Sequence, residues 1–312
     1  FFETSTGKRR HEIFTNYKNT LRDLGVFTEQ VATDNFNLSR HDALSTLEKF
    51  VSAFVKIKPD LVIFDDLFVL SPIPNDELKG LIVSLKKKYS FKIIGLYLDA
   101  WMPVEIDAIC YANDFLDGVW HTSPNLINKF KKIKHLCIPN PFNFSLYKPV
   151  QKEINALFLG TIDVFNLDRA LLLHKLRNSN LNVDVQITNS RTVSRMLNDW
   201  EYATKLCKSA TNININKRPN GVNVITGRMW ESLLAQSVLV DEYSSDTDYF
   251  ITPLKHFIPF KTYGDLEIVI RMLHKNPDIL NQISRGGRQV MNEYYHPDLI
   301  WNYVLYKIGL KG

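Results

Sequence analysis

Three residues in the second half of the sequence, Gly227, Arg228 and Glu231, have the types and spacing of an anion-binding site. Gly227 lets the backbone turn, and the apolar spacing that follows predicts a helix over residues 228–236. A helix that begins directly after a glycine presents unpaired N–H groups, which favour phosphate. The helix dipole disfavours Arg228 in the first turn, so an anionic ligand would compensate it. Glu231 could accept hydrogen bonds from a ribose diol; the alternative is an ordinary amphipathic helix with a surface Arg and Glu.

A second group of polar residues lies beside predicted strand ends, where ligands bind in open α/β sheets. The strand predicted over residues 155–161 ends in Gly160 and Thr161. A loop rich in Ser and Thr leads into a first helix, predicted over residues 9–24 and closed by Gly25. That loop and the start of the helix supply further pocket candidates: Thr4, Ser5, Thr6, Arg10 and His11.

The length of 312 residues is comfortable for two domains, and the 45% hydrophobic content is ordinary for a soluble globular protein. Three cysteines, an odd number, are expected to be reduced and buried, as in a cytosolic protein. We find neither a signal peptide nor an apolar run of about 18 residues that could span a membrane. Because the chain opens on Phe1 inside what reads as an element, we expect a preceding strand to be missing or to have been processed away.

Positive charge is clustered although the net charge is only +5, which does not favour a dedicated nucleic-acid binder. The run KFKKIKH alternates apolar residues with four lysines: Lys129, Lys131, Lys132 and Lys134. A helix predicted over residues 124–132 would place these lysines against an anionic membrane surface. The alternative is a solvated helix face.

Buried strands alternate with helices along the whole chain, as at DLVIFDD and FKIIGLYLDAW. This alternation predicts parallel sheets covered by helices on both faces. The pattern restarts after Pro149, so we expect two successive α/β units joined near residues 140–150. Ligands of such units bind at the carboxyl ends of the strands, here in a cleft between the two units.

The second half resembles a known protein family over residues 205–305. The similarity lies in NININ, in NGVNVITGRMWESLLAQSVLVDE, and in LKHFIPFKTYGDLEIVIRMLHKNPDILNQISRGGRQVMNEYYHPDLIW. These segments resemble the carboxyl-terminal domain of GT-B glycosyltransferases of the group-1 type, and within it the spore-maturation CgeB-like branch. The resemblance implies two Rossmann-like domains facing across a cleft, with a C-terminal helix crossing back to the first. It places the acceptor-side domain at residues 1–148 with 299–312, and the nucleotide-sugar donor domain at residues 149–298.

The resemblance also implies roles for individual residues. Glu231 falls on the glutamate that holds the nucleotide ribose, and Gly227 and Arg228 fall where the diphosphate is bound. The full set of donor-binding candidates is Gly160, Thr161, Lys217, Arg218, Asn223, Thr226, Gly227, Arg228 and Glu231. Two positions depart from the family pattern. Asn223 stands where a first glutamate is usual, and Gln236 stands where a glycine is usual.

The implied activity is transfer of a sugar from a nucleotide-sugar donor, such as a UDP-sugar, to an acceptor hydroxyl. Helix N-termini and basic side chains would neutralise the leaving diphosphate without a metal or another cofactor. Asp99 and His11 are the candidates that orient or deprotonate the acceptor, with His121 as a further one; helix capping is the alternative for Asp99. The family favours retention of configuration. Two alternatives stay open: a non-catalytic protein that binds sugar nucleotides or glycans, and a nucleic-acid-associated protein, which the modest charge disfavours.

Overall fold

A computed structural model gives the fold of the protein for most of its length. It describes residues 2–3, 10–29, 31–32, 40–65, 75–98, 100, 102–160, 167–187, 197–218, 222 and 224–311. In the segments 2–3, 10–15, 31–32 and 40–47 it describes the backbone alone. The chain divides into two compact units, Phe1–Phe142 with Pro297–Gly312, and Asn143–His296.

The first unit is built on a parallel sheet whose strands alternate with helices. Its strands are β1 (Phe2–Glu3), β2 (Val31–Ala32), β3 (Leu61–Asp65), β4 (Lys92–Leu96), β5 (Gly118–His121) and β6 (His135–Cys137). Its helices in chain order are α1 (Arg10–Asp23), α2 (Arg40–Ile57), α3 (Asn75–Lys88), α4 (Pro103–Ala112) and α5 (Asn125–Lys129). The described strands pair in the order β2-β1-β3-β4-β5-β6. Four of the five residues of β3 and of β4 are buried, as expected for strands covered on both faces.

The second unit repeats this architecture with a five-stranded parallel sheet. Its strands are β7 (Ile154–Gly160), β8 (Val183–Ile187), β9 (Ser209–Asn214), β10 (Val238–Glu242) and β11 (Phe257–Phe260). Its helices are α6 (Leu167–Arg177), α7 (Asp199–Lys208), α8 (Gly227–Leu234), α9 (Ser245–Phe250), α10 (Tyr263–Lys275) and α11 (Pro277–Tyr294), with a 3-10 turn at Phe144–Leu146. The strand order is β11-β10-β9-β7-β8. The first strand of this sheet, β7, therefore lies between the second and the third, and the direction of winding reverses between β7 and β9.

The last helix, α12 (Pro297–Lys307), belongs to the first unit and packs into its core. Its Trp301 indole donates a hydrogen bond to the Thr20 hydroxyl of α1 at 2.9 Å. The same indole packs edge-on against Tyr17 and Trp120, with ring centroids 5.5 and 5.4 Å apart. Tyr17 and Trp120 stack on each other at 5.4 Å. Such aromatic pairs add about 0.5–1.5 kcal/mol each beyond the area that they bury. The predicted return of the C-terminal helix to the first domain is therefore confirmed.

Several predicted details are wrong. The helix predicted over residues 124–132 ends at Lys129, because Phe130 and Ile133 turn inward and pack against the core of the first unit. Helix α9 was not predicted, since its six residues are too few to show an apolar period. The three cysteines are free, but Cys110 is exposed and not buried. None of the described helices is long and apolar enough to cross a lipid bilayer.

Candidate functional site

The candidate site lies at the carboxyl edge of the second sheet, beside the point where the winding reverses. Strands β7 and β9 are neighbours there and end at Gly160 and Asn214. In doubly wound sheets, the loops after two such strands run in opposite directions and leave a crevice in which ligands bind. The sequence predicted Gly160 at this edge, but Asn214 was not among its candidates.

Helix α8 begins at this edge with an exposed Gly227. The preceding residue, Thr226, has the extended backbone of an N-cap, with φ −101° and ψ 156°, but its side chain makes no capping hydrogen bond. Its hydroxyl donates instead to the Asn214 side-chain oxygen at 3.0 Å. The first N–H groups of α8 are thus left without a side-chain cap, which is the arrangement that favours an anion in front of a helix.

The guanidinium of Arg228 lies across the end of β7. Its Nη1 donates to the Asn214 oxygen at 3.0 Å, and its central carbon lies 5.1 Å from the ring centre of Phe158. A Cβ added to Gly160 would lie 2.2 Å from Nη2, so the close approach requires glycine. Both partners of the guanidinium are neutral, and its Nε is buried without a hydrogen-bond partner among the described residues. The guanidinium is therefore held in place by neutral partners, while Asp241, on the far side of Asn214, interacts with its charge.

A buried polar network behind Arg228 fixes the orientation of Asn214. Because the Asn214 oxygen accepts hydrogen bonds, its amide nitrogen points the other way and donates to Asp241 at 2.7 Å. Asp241 is fully buried. Its carboxylate also accepts hydrogen bonds from the Thr247 hydroxyl at 2.8 Å and from the Asn216 amide at 3.3 Å. Burial raises the pKa of the Asp241 carboxyl from its usual value to about 7. The chain Asp241–Asn214–Arg228 is thus set by the fold.

Glu231 lies one turn after Gly227 on the same face of α8. A Cβ on Gly227 would lie 3.9 Å from the Glu231 carboxylate. That carboxylate accepts a hydrogen bond from the Tyr202 hydroxyl at 2.8 Å and a second from the buried Tyr147. Burial and, next, the charge of Glu231 raise the pKa of Tyr147 well above its usual value. The ribose role predicted for Glu231 stays a prediction.

Lys217 and Arg218 follow β9 at the same edge of the sheet. The Lys217 N–H donates to the Glu242 carboxylate at 2.9 Å, and the Arg218 N–H donates to the carbonyl of Val222 at 2.8 Å. The backbone of this loop is therefore tied both to the end of β10 and to itself. The phosphate role predicted for the side chains of Lys217 and Arg218 remains a prediction.

Other predicted site residues lie outside the described residues: Thr4, Ser5, Thr6, Asp99, Thr161 and Asn223. Arg10 and His11 lie in the first turn of α1, where the backbone alone is described. Among the described residues, no group of three or more His, Cys, Asp and Glu side chains is arranged to hold a metal ion.

His121 is fully buried at the end of β5, and its ring has a structural role. Its Nδ1 accepts from the Ser123 N–H at 3.2 Å, so the proton of the neutral ring is on Nε2, which lies 2.9 Å from Nδ1 of His135. His135 in turn donates from its Nε2 to the carbonyl of Phe130 at 2.8 Å. Burial and, second, the neighbouring His135 lower the pKa of His121 to about 3. A neutral ring with both nitrogens occupied is a poor candidate for an acid–base role.

Sequence reasoning missed the residues that support the site: Tyr147, Phe158, Tyr202, Asn214 and Asp241. One signal for Asn214 was available. The NININ segment places asparagines at alternate positions of a strand that otherwise reads as buried, and buried amides require partners. The partner, Asp241, could not be identified without knowing that β9 and β10 are adjacent.

Comparison of the fold with solved structures gives extensive matches. The Anabaena protein HepE in complex with UDP-glucose matches with a TM-score of 0.68 at 11% identity, over 99% of this chain and 98% of HepE. An alpha-glucosyltransferase in complex with UDP-glucose and DNA matches with a TM-score of 0.68 at 9% identity, over 99% and 98%. Sucrose-phosphate synthase from Thermosynechococcus elongatus matches with a TM-score of 0.64 at 12% identity, over 98% and 94%. The fold is GT-B.

No protein-family model matches the sequence, and no curated protein sequence matches it. At 9–12% identity the structural matches establish the GT-B fold and nothing finer. The predicted pair of parallel α/β domains is confirmed, whereas the CgeB-like branch remains a prediction. In this GT-B protein, the function has to be argued from the residues around Arg228.

Proposed function

We propose that the protein is a glycosyltransferase that moves a sugar from a nucleotide-sugar donor to an acceptor hydroxyl. The observation that carries the proposal is the guanidinium of Arg228, held by Asn214 over Gly160 at the winding reversal of the second sheet. A fixed cation beside the uncapped start of α8 suits a diphosphate. The GT-B fold agrees with this chemistry, because the matched structures include glycosyltransferases bound to UDP-glucose.

We assign the donor to the second unit and the acceptor to the first. Arg228 and the first N–H groups of α8 would bind the diphosphate, and Glu231 would accept hydrogen bonds from the ribose hydroxyls. Gly160 and the loop of Lys217 and Arg218 would line the rest of the donor site. We take UDP-glucose as the first donor to test, since HepE and the alpha-glucosyltransferase were both solved with it.

In the proposed reaction, the bond between the anomeric carbon and the diphosphate oxygen breaks while the acceptor oxygen bonds to that carbon. Negative charge then grows on the leaving diphosphate, where a fixed cation and helix N–H groups stabilise it most effectively. We propose that these groups do so without a metal ion. The proton of the acceptor hydroxyl would pass to Asp99, or to the leaving phosphate if the configuration is retained by front-face substitution.

The donor assignment is tested by calorimetric titration and thermal shift with UDP, GDP, ADP and CMP. A nucleotide that binds the native state alone, at about a hundred times its dissociation constant, adds roughly 2.7 kcal/mol of stability. We expect one nucleotide to raise the melting temperature of the wild type and to lose most of its effect on Arg228→Met. The matched control is Arg285→Met, an exposed position on α11. Equal shifts for Arg228→Met and the control would overturn the assignment.

A non-catalytic protein that binds sugar nucleotides is the second candidate. It is favoured by Asn223, which stands eight residues before Glu231 where group-1 enzymes carry a glutamate. The two candidates predict the same nucleotide binding but different turnover. Slow hydrolysis of the donor, unaffected by a metal chelator and abolished in Arg228→Met, supports the enzyme. Tight binding with no hydrolysis and no transfer to any acceptor in a glycan panel supports the binding protein.

A further inference from the structure

The net positive charge of the chain is concentrated at the amino-terminal edge of the first sheet. Its paired strands are all parallel, so the segments that lead into them meet at one edge. Five described segments enter the strands β2 to β6: residues 22–29, 56–60, 86–92, 113–117 and 129–134. Six strands about 4.8 Å apart make this edge roughly 25 Å wide. We call these five segments the lysine edge.

The lysine edge holds eleven Lys and Arg residues and five Asp and Glu residues, a net charge of +6. The net charge of the entire chain is +5, so the remainder of the protein is close to neutral. Asp117 is paired with Lys86 and Lys92, at 2.7 and 3.3 Å. Lys87 and Lys88, in contrast, are exposed at the end of α3. The edge therefore presents a concentrated positive field to solvent.

Two segments of the lysine edge hold four lysines each, and one of them, residues 129–134, is a turn fixed by contacts with the core. Phe130 and Ile133 pack against the apolar core of the first unit, and the Phe130 carbonyl accepts a hydrogen bond from His135 at 2.8 Å. The inward direction of these two side chains leaves the lysines beside them pointing outward. All four are exposed: Lys129, Lys131, Lys132 and Lys134.

The opposite end of the lysine edge exposes apolar side chains next to the charged residues Arg22, Asp23 and Glu29. Phe27, in the segment before β2, is 75% exposed, and Leu24 and Val26 beside it are exposed as well. Phe27 also lines a cavity of about 620 Å³ whose walls include Phe54, Leu305 and Leu310. An exposed aromatic side chain beside an open apolar cavity is uncommon on a surface that meets only water.

We propose that the lysine edge docks on the surface of an anionic lipid bilayer. The lysines would lie among the charged headgroups, and Phe27 would enter the boundary of the acyl chains, where aromatic rings are favoured. Charge complementarity decides the occupant, and the apolar end distinguishes a bilayer from nucleic acid, which offers phosphates without a hydrocarbon layer. Attraction to the headgroups is screened by salt within about 10 Å. This docking is independent of the proposed transfer reaction.

The test is cosedimentation of the full chain with vesicles of phosphatidylcholine, alone or mixed with phosphatidylglycerol, at low and high sodium chloride. We expect binding to the mixed vesicles that weakens with salt. The triple variant Lys131→Glu, Lys132→Glu, Lys134→Glu should reduce the partition coefficient by at least about tenfold. The matched control reverses three exposed lysines of the second unit, Lys255, Lys261 and Lys275, and should bind as the wild type does.

A second variant, Phe27→Ser, separates insertion from electrostatic attraction. It should lower the partition coefficient by about the same factor at low and high salt, because the apolar contribution is not screened, whereas the effect of the triple variant should shrink as salt is added. Unchanged melting temperatures and unchanged UDP binding would show that the variants are folded and that the donor site is not involved. The proposal is overturned if neutral vesicles bind equally well, or if the triple variant binds as its control does. It is also overturned if the wild type ignores vesicles but binds duplex or single-stranded nucleic acid.

Discussion

Nη2 of Arg228 lies only 2.2 Å from the position that a Cβ on residue 160 would take. The guanidinium can keep this position only if residue 160 is glycine, whereas the backbone does not demand glycine, since Gly160 does not have the left-handed conformation. This relationship couples two residues that are 68 positions apart and gives the donor-site proposal a structural test that leaves Arg228 itself intact.

Replacement of Gly160 by alanine is expected to weaken UDP binding by at least about tenfold. The new methyl group must push the guanidinium off Phe158 and away from Asn214, while little of the core is disturbed. Calorimetric titration measures the change. The control is Gly264→Ala in the first turn of α10, where a Cβ meets nothing closer than 3.7 Å. Equal affinities for the two variants would show that Arg228 does not contact the nucleotide.

Replacement of Asn214 by leucine is expected to destabilise the protein by roughly 2–4 kcal/mol, because Asp241 loses a donor and Arg228 loses its acceptor in a buried site. The unfolding transition in urea measures the loss. Asn281→Leu, on an exposed turn of α11, should change stability by less than about 0.5 kcal/mol. If Asn214→Leu behaves like this control, the network does not stabilise the site.

Because burial keeps His121 neutral in the folded protein, we expect the protein to lose stability in acid. Its pKa is about 3 in the folded protein and near 6.5 when unfolded, so the unfolded chain takes up the proton first. The stability contributed by the neutral ring is complete above pH 6.5 and is lost as the pH falls from 6.5 toward 3. At pH 5 the loss should be about 2 kcal/mol. Melting curves of the wild type and of His121→Gln between pH 8 and pH 5 measure it. A variant with the same pH slope as the wild type would contradict this prediction.

Replacement of Gln236 by glycine is expected to stabilise the protein by about 1 kcal/mol. Gln236 has a positive φ of 51°, and the Ser237 N–H bonds back to the Ser232 carbonyl, which closes α8 with a Schellman motif. The left-handed position explains why glycine is usual there in the resembling family. Gln282→Gly, on an exposed face of α11, should instead destabilise by about 1 kcal/mol. Melting temperatures that move in the same direction for both variants would exclude this explanation.

Local patterns in the sequence were enough for most elements, including strands at residues 118–121 and 183–187 that match the structure. They were also enough to place Gly227 and Arg228 at the start of a helix, because the start of a helix is decided within one turn. Local patterns could not predict the contacts between strands. The bond between Asn214 and Asp241 joins residues 27 positions apart, and it requires the strand order of the second sheet.

The helix predicted over residues 124–132 failed for a related reason. Its alternation of lysines and apolar residues fits a helix with one apolar face, but burial of Phe130 and Ile133 against the core ends α5 at Lys129. Tertiary packing thus overrode the local pattern. The lysines remain exposed, so their charge could be predicted although their conformation could not.

Packing of Trp301 against Tyr17 and Trp120 has a consequence for the order in which the two units form during synthesis. The second unit is one continuous stretch, whereas the first unit needs α12, which leaves the ribosome only after the whole of the second unit. We therefore expect residues 143–296 to fold as an isolated fragment and residues 1–142 to aggregate until the α12 peptide is added. The second unit, in the middle of the chain, would fold first. The first unit would complete its folding last, although most of it is translated first.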